Sequence, residues 1–407
     1  LLFLWDKLLW QSEGLKPVEI YGRNFLPILV QQVIVKTEII KITTPEDTVS
    51  IQRAAELLDN GSLVAFPTET VFGIGCKVDK HSLERLNEVK DRPLEKRYTL
   101  HVGSHEQLAK YIPSMGARAR KLVQHALPGP VTIVFELDKN ALKRAKKNLD
   151  KNIFNLLYAD DTLGVRYPDN AVASAILSQA KSPVVAPSAN PAGQEPATTA
   201  QQVLNYFEGK IDVVVDAPDC GCTYQQSSTV VKIGKKNIEV LREGAVPADL
   251  IREWSTLRIL FVCTGNTCRS PMAAGFCREF FSDILDCSVD ELDELGYKID
   301  SAGIATLDGL PASGHAVEVC RKQRIDLTSH RSRQLTLQDI QQSDLIFTMS
   351  QSHRAYILQM CPLSSQKCFM LDPKEDIQDP VGLNAEVYRN CFCQISENII
   401  ARKGDFL

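Results

Sequence analysis

The chain contains no long uninterrupted apolar run. Its opening LLFLWDKLLW is apolar and aromatic, but Asp6 and Lys7 interrupt it and no small-residue cleavage site follows, so neither a spanning helix nor a secretory leader is expected there. Paired C-x2-C spacings are missing too. Cys220 and Cys222, like Cys391 and Cys393, have one residue between them rather than two, and no structural metal is expected. Charge of one sign is not in excess: 46 Lys and Arg face 50 Asp and Glu. The net charge of -4 argues against a strongly basic protein that wraps nucleic acid, while leaving room for a local basic face. The twelve cysteines are spread over 407 residues, too thinly for a disulfide scaffold, and fit a reducing cytoplasm. A composition of 44% hydrophobic and 24% charged residues is that of a globular chain, long enough for two or three domains with separate cores.

What is present is best defined at FVCTGNTCRSPMA, 261–273. The apolar run RILFV (258–262) predicts a strand, and Ser270 as N-cap with Pro271 at the first helical position predicts a helix after it. A loop at that junction meets an anion with backbone N–H groups and the helix dipole, and Gly265 is expected to let the backbone wrap closely. Cys263 opens the loop and Arg269 closes it. Inward N–H donors stabilise a thiolate, which predicts an ionised nucleophile at Cys263, and Arg269 offers a planar fork for two phosphoryl oxygens. The bland alternative is a buried Cys in a tight turn. The order of strand, Gly, Arg-Ser-Pro and helix speaks against it.

This segment resembles the low-molecular-weight protein phosphatases. The resemblance implies that Cys263, Arg269 and Asp379 of Asp379-Pro380 are catalytic, with Asp379 as the general acid that later helps activate water. It also implies that Thr264, Gly265, Asn266, Thr267, Cys268 and Ser270 form the phosphate-binding loop, that no cofactor is needed, and that a phosphoprotein is the substrate. Thr267 stands where tyrosine-directed members carry an aliphatic residue, and Val381-Gly382 stand where they often carry aromatics. The loop is similar to that of bacterial protein-arginine phosphatases, so phosphoarginine is favoured with phosphotyrosine kept open. Cys268 either forms a reversible disulfide with Cys263 or is simply packed. His330-Arg-Ser-Arg333 also matches the family, and Arg331 and Arg333 either attract phosphoprotein or serve the structure. Strand candidates at 297–303, 344–349 and 367–371 alternate with helices such as 314–323, and predict a doubly wound parallel sheet with Cys263 on its C-terminal edge. Residues 272, 276, 280 and 284 are expected to turn toward that sheet.

A second set of motifs lies upstream. LVAF (63–66) reads as a strand, PTETVFGIG (67–75) as a turn, and a helix should run through Val89 into Lys90-Asp91-Arg92-Pro93. Two cations one residue apart project to opposite sides of an extended segment, so a joint role for Lys90 and Arg92 requires a kinked loop; the alternative is a solvated helix end. The run 182–190 reads as a strand that ends in Pro187, Ser188 and Asn190. Region 38–248 resembles the YrdC-like threonylcarbamoyl-AMP synthases, matching their Lys-x-Arg and Ser-x-Asn quartet together with Pro128-Gly-Pro130, Gly164-Val-Arg166, Ser228-Thr-Val230 and Leu241-Arg242.

That resemblance implies an enzyme that joins L-threonine, bicarbonate and ATP, with Mg2+ carried by the nucleotide, for threonylcarbamoyladenosine modification of tRNA. Lys90, Arg92, Ser188, Asn190 and Arg242 would bind ATP. Thr68, His101, Thr162, Arg166 and Ser228 would bind threonine. The chain departs from the family at Arg97-Tyr98, where Pro-Leu is common, at Leu127, where an aromatic is common, and at Phe72, where Tyr is common. The run DKNALKRAKKNLDK (138–151) is an insertion, read either as an RNA-facing patch or as a solvated helix face.

The expected architecture is α/β throughout. A poorly ordered extension (1–37) precedes a YrdC-like twisted mixed-sheet domain (38–248), a linker (249–256) and a doubly wound parallel-sheet phosphatase domain (257–407). The chain does not begin with Met, which hints at a displaced gene start. A cytoplasmic enzyme without a membrane partner is expected, with tRNA or tRNA-modifying proteins as further partners. Two alternatives for the first domain are a non-catalytic RNA-binding module and a carbamoyl-transfer maturation domain; the missing zinc-finger Cys pairs weaken the latter.

Overall fold

The computed structural model describes residues 36–92, 97–158, 160–234 and 236–406. The expected N-terminal extension therefore falls outside the described residues except for 36 and 37. Of these, Thr37 is tied down, its hydroxyl donating to the Ile211 carbonyl at 2.7 Å.

Ten strands form the first sheet: β1 (Glu38–Lys41), β2 (Val64–Phe66), β3 (Gly73–Lys77), β4 (Thr99–His101), β5 (Val131–Glu136), β6 (Thr162–Arg166), β7 (Val184–Val185), β8 (Val213–Asp216), β9 (Thr229–Ile233) and β10 (Ile238–Arg242). Their order is β1-β8-β2-β3-β7-β4-β6-β5-β9-β10, with parallel and antiparallel neighbours mixed. Helix α1 (Thr48–Asp59) is capped by Asp47, which accepts from the Ser50 N–H, and buries Ile51, Ala54, Ala55 and Leu58. That spacing is one helical face. Helix α2 (Lys80–Lys90) starts at its cap Asp79 and stops where Asp91 turns left-handed at φ 50°. Two expectations change here. Gly73 to Gly75 belong to strand β3 rather than to a turn, because they pair with β2 in a fully buried register. The strand expected over 182–190 shrinks to β7, with Gly73 and Ser188 meeting only as an isolated bridge.

Helix α3 (Ala117–Ala126) faces two cores. Leu122, Val123 and Ala126 pack in the first domain, while Ala117 packs in the second. Helix α4 (Lys139–Asn148) carries most of the basic insertion; only Ala141 and Ala145 are buried, so its cations face outward. Residues 249–256, expected as a linker, lie almost wholly in helix α5 (Ala248–Ser255). Its Ile251 is buried in the first core, and an amphipathic helix with a core to cover does not remain a free tether.

The second sheet is parallel, built of β11 (Leu257–Cys263), β12 (Tyr297–Gly303), β13 (Leu345–Thr348) and β14 (Cys368–Met370) in the order β12-β11-β13-β14. Along β11, Ile259, Phe261 and Cys263 enter one core and Leu260 and Val262 the other, the two-sided burial expected of a covered parallel sheet. Helices α6 (Arg269–Leu285) and α8 (Ala385–Ala401) cover the first face, and α7 (Gln351–Met360) the second. The buried stripe of α6 runs through Cys277, Phe281 and Leu285; Phe276 and Phe280 are only partly buried. Of the stripe expected at 272, 276, 280 and 284, Met272 is buried as expected, and past it the buried face turns to Cys277, Phe281 and Leu285, where α6 packs on both β12 and α8. Phe281, Phe347 and Phe406 are fully buried with ring centroids 5.4 and 5.6 Å apart, and each contributes about 1.5–3 kcal/mol by leaving water.

Candidate active sites

The first sheet opens on a cavity of about 500 Å³. Arg92, Arg97, Arg166 and Arg242 line it and, among the described residues, no carboxylate does, so it is a pocket for anions. Thr68, His101, Thr162, Arg166 and Ser228 all reach its wall, as do Arg92, Ser188 and Arg242. Lys90 and Asn190 stand behind that wall. The Lys90 ammonium, at the end of α2, donates to the carbonyls of Ser188 and Asn190 and so knots the quartet together. The left-handed Asp91 supplies the kink that lets Lys90 and Arg92 serve one site. Ser188 donates to Asn190 Oδ1 at 2.6 Å, and the Asn190 amide holds the Gln194 carbonyl at 2.6 Å.

Several wall residues hold one another in place. Thr68 Oγ1 donates to the Val71 carbonyl at 2.7 Å and accepts from the Thr70 and Val71 N–H groups, which closes the turn between β2 and β3. Arg166, the last residue of β6, reaches Glu69 Oε1 at 2.8 Å and Thr70 Oγ1 at 3.1 Å, and burial lowers its pKa first of all. The pair is buried, yet Glu69 Oε2 and Arg166 Nε have no hydrogen-bond partner among the described residues. Unpaired buried polar atoms are costly and recur where a ligand supplies the missing partner. His101 Nδ1 lies 3.0 Å from the Thr99 carbonyl, which can only accept; the ring proton is therefore on Nδ1 and Nε2 is an acceptor. Burial, then the Arg166 charge, pushes the His101 pKa down to about 3, so the ring is neutral. Ser228 Oγ meets Thr132 Oγ1 at 2.9 Å, and Arg242 donates to the Ser228 carbonyl at 2.7 Å. Tyr98 lies under the Arg92 guanidinium, 4.9 Å from ring centroid to cation. Sequence reasoning missed Glu69 and noted Tyr98 only as a departure from the family; Glu69 sits in the quoted turn, but its partner is far away in the chain.

The second site lies at the C-terminal end of β11. Cys263 Sγ accepts from the Asn266 N–H at 3.2 Å and lies 3.0 Å from Ser270 Oγ. The left-handed residue of the loop is Asn266, with φ 51°, while at Gly265 an added Cβ would meet Thr267 Oγ1 at an ordinary 3.5 Å. One local expectation is corrected. Helix α6 begins at Arg269 with Cys268 as its cap residue, so Ser270 is inside the helix and its hydroxyl turns to the loop. Asn266 is fixed on every side: its amide donates to Ser270 and Ser301, its Oδ1 accepts from the Arg333 N–H, and its carbonyl meets His330 Nε2 at 2.7 Å. The Arg331 guanidinium bonds the carbonyls of Thr328 and His330, and Arg333 pairs with Asp339.

Arg269 is buried and donates to the Ile377 carbonyl, to Thr264 Oγ1 and to Asp379. Cys268 Sγ lies 3.2 Å from Ser313 Oγ and 3.3 Å from the Tyr388 hydroxyl, whose pKa burial and then this sulfur push up to about 12. Thr267 caps the loop, its carbonyl accepting from the Ser313 N–H. His353, absent from the sequence reading, joins the loop through Thr264. Among the described residues all twelve cysteines are free, no cluster of three metal-ligating side chains occurs, and no helix is long and apolar enough to cross a membrane.

Comparison with known proteins gives two matches along the chain. Residues 56–244 match the model of the Sua5, YciO and YrdC proteins, described as telomere recombination, and residues 258–401 match that of low molecular weight phosphotyrosine protein phosphatases. A threonylcarbamoyl-AMP synthase of Pyrococcus abyssi is 30% identical over 218 residues, 53% of this chain and 60% of that protein. The chain thus spans less than two thirds of that relative. A threonylcarbamoyl-AMP synthase of Enterobacter is 36% identical over 169 residues, 41% of this chain and 83% of that protein. Among solved structures, a low molecular weight protein tyrosine phosphatase from T. tengcongensis is 35% identical, covering 36% of this chain and 96% of that one, with a TM-score of 0.32. The YwlE arginine phosphatase from Geobacillus stearothermophilus is also 35% identical, covering 35% and 88%, with a TM-score of 0.30.

Proposed function

We propose a bifunctional enzyme, on the premise that this chain belongs to the Sua5, YciO and YrdC family of threonylcarbamoyl-AMP synthases through residues 56–244 and carries a low-molecular-weight protein phosphatase domain through residues 258–401. The observation that carries the first activity is the gathering of four arginines with Thr68, His101 and Ser228 around one cavity. In this reading Arg166 takes the threonine carboxylate, and His101 Nε2 accepts from its hydroxyl or amine. The amine adds to bicarbonate with loss of water, and a carbamate oxygen attacks the α-phosphorus of ATP. The bond to the β-phosphate oxygen breaks, and pyrophosphate leaves beside Arg92 and Arg242, with Lys90 fixing the Ser188–Asn190 loop behind the wall. Mg2+ would enter with the nucleotide, carried by its phosphate oxygens and water, and would neutralise phosphate charge beside the arginines that line the cavity. The product serves threonylcarbamoyladenosine formation on tRNA in the cytoplasm.

In the second domain the thiolate form of Cys263 attacks phosphorus while Arg269 holds two equatorial oxygens. The bond from phosphorus to the leaving nitrogen or oxygen breaks, and Asp379 gives that atom its proton. Water activated by Asp379 then cleaves the phosphocysteine and frees phosphate. Phosphoarginine is the preferred substrate within this reading, because the Thr267 hydroxyl offers a polar partner to a guanidinium where an aliphatic side chain offers none.

Two assays test the proposal. Pyrophosphate release should require both ATP and L-threonine and should be lost in Lys90→Ala; no release by the wild type overturns the synthase and leaves the first domain a binding module. Phosphopeptide hydrolysis should vanish in Cys263→Ser. A preference for phosphotyrosine over phosphoarginine would overturn the substrate assignment alone.

A further inference from the structure

His353 is the third residue of α7 and is buried, 3% exposed, beside the phosphate loop. Its Nε2 lies 2.9 Å from Thr264 Oγ1 and its Nδ1 2.8 Å from Ser350 Oγ. Ser350 is the helix cap; its hydroxyl accepts from the His353 N–H and meets Ser352 Oγ at 2.8 Å, so the ring is anchored to the start of α7. On the other side of Thr264 comes Arg269, whose Nη2 donates to the same hydroxyl at 3.3 Å. A hydroxyl has one proton and two lone pairs, so Thr264 can take the guanidinium bond and still exchange a hydrogen bond with the imidazole. The charged groups that face the ring are Arg269, Asp379 and Asp376; burial and Arg269 win, and the pKa of His353 falls to about 4.

The chain matters because Asp379 has two tasks. Its Oδ2 is paired with Arg269 here, but as the general acid it must carry a proton, and a neutral carboxyl no longer holds the guanidinium by charge. Besides the phosphoryl group, the partners that then hold Arg269 among the described residues are the Ile377 carbonyl and the Thr264 hydroxyl. Resting on the phosphatase reading above, we propose that His353 is a positioning residue of the phosphatase site. Through Thr264 it holds the Arg269 guanidinium in place around the phosphoryl group while Asp379 transfers its proton.

The test is steady-state hydrolysis of phosphoarginine and phosphotyrosine peptides by the full chain, with thermal melting of every variant. His353→Phe, which fills the space without a hydrogen bond, should lower kcat about 100-fold, the cost of misplacing a reacting group by about 1 Å, with KM changed less than about threefold. His353→Gln, whose amide can both donate and accept, should recover most of that loss. Thr264→Val should reproduce the His353→Phe defect, and the double variant should be no worse than either, because both cut one chain of hydrogen bonds. Full kcat in His353→Phe, or losses that multiply in the double variant, overturns the positioning role. Turnover by the wild type and its loss in Cys263→Ser would meanwhile leave the phosphatase reading standing; no turnover by the wild type overturns both. Should His353→Phe fail to fold, Thr264→Val and His353→Gln decide.

Discussion

The junction between the two sheets carries a partly buried ion pair, and removing it should destabilise the chain. Lys121 on α3 meets Asp344, the residue before β13, at 2.8 Å, with side chains only 17% and 24% exposed. At an effective dielectric constant of about 20, two charges at that distance attract by roughly 6 kcal/mol. Desolvation takes back most of this, leaving a coupling of about 1–2 kcal/mol. The two single variants should not cost the same. Asp344 Oδ2 also accepts the Arg258 N–H at the start of β11, at 2.8 Å, whereas Lys121 keeps the Thr256 carbonyl as a second partner. Asp344→Ala strands a backbone donor and a partly buried ammonium, and should destabilise by about 3 kcal/mol; Lys121→Ala should cost about 2 kcal/mol. Arg118 would remain to hold the junction, with its Nε on the Ser255 carbonyl and its guanidinium over the Tyr297 ring at 4.6 Å. Urea unfolding of the four members of the cycle, followed by circular dichroism and tryptophan fluorescence, measures these terms. Equal costs for the two single variants, or a coupling below about 0.5 kcal/mol, would refute the reasoning.

Arg166→Met should destabilise by about 3–5 kcal/mol in urea unfolding because it strands the buried Glu69 carboxylate, and Arg166→Met with Glu69→Gln should recover part of that loss. Gly303→Ala places a Cβ 2.6 Å from the Thr264 carbonyl, so the loop must shift; phosphopeptide kcat should fall while pyrophosphate release from the first domain is unchanged. His101 and His353 both have folded pKa values below the usual 6.5, about 3 and about 4. Between those values and 6.5 the unfolded chain binds more protons than the native one, so stability rises with pH and is lost as pH falls below about 6.5, by at most about 1.4 kcal/mol per pH unit for each histidine. Urea midpoints should be lower at pH 5 than at pH 7, and His101→Asn should flatten the dependence; an unchanged slope would sink that assignment.

Local order was legible wherever neighbouring residues in the chain carry it. β11, the loop from Cys263 to Ser270 and the start of α6 are contiguous, so strand, anion loop and helix follow from apolar run, Gly and Arg-Ser-Pro. Even there, which residue takes the left-handed conformation was settled by contacts from elsewhere: Ser301, His330 and Arg333 converge on Asn266, and these partners reward its strained backbone. The quartet of Lys90, Arg92, Ser188 and Asn190 was readable as motifs, but the kink at Asp91 and the bonds from Lys90 to the far loop exist only once α2 is packed against it. Residues 249–256 were expected as a linker and lie almost wholly in a helix whose Ile251 is buried in the first core.

The alternation of strands and helices in the sequence by itself pointed to the parallel class of the second sheet, and local spacing to a strand, a loop and a helix around Cys263; the two families and the mixed first sheet entered through the likeness of short motifs. Tertiary structure alone decided that Glu69 meets Arg166 across 97 positions and that His353 meets Thr264 across 89. The same holds for Lys121 and Asp344, 223 positions apart, which join the two sheets. A side chain's own neighbours cannot specify such meetings. They arise when separate hydrophobic faces find burial together, and the polar atoms carried along must then pair with whatever stands opposite.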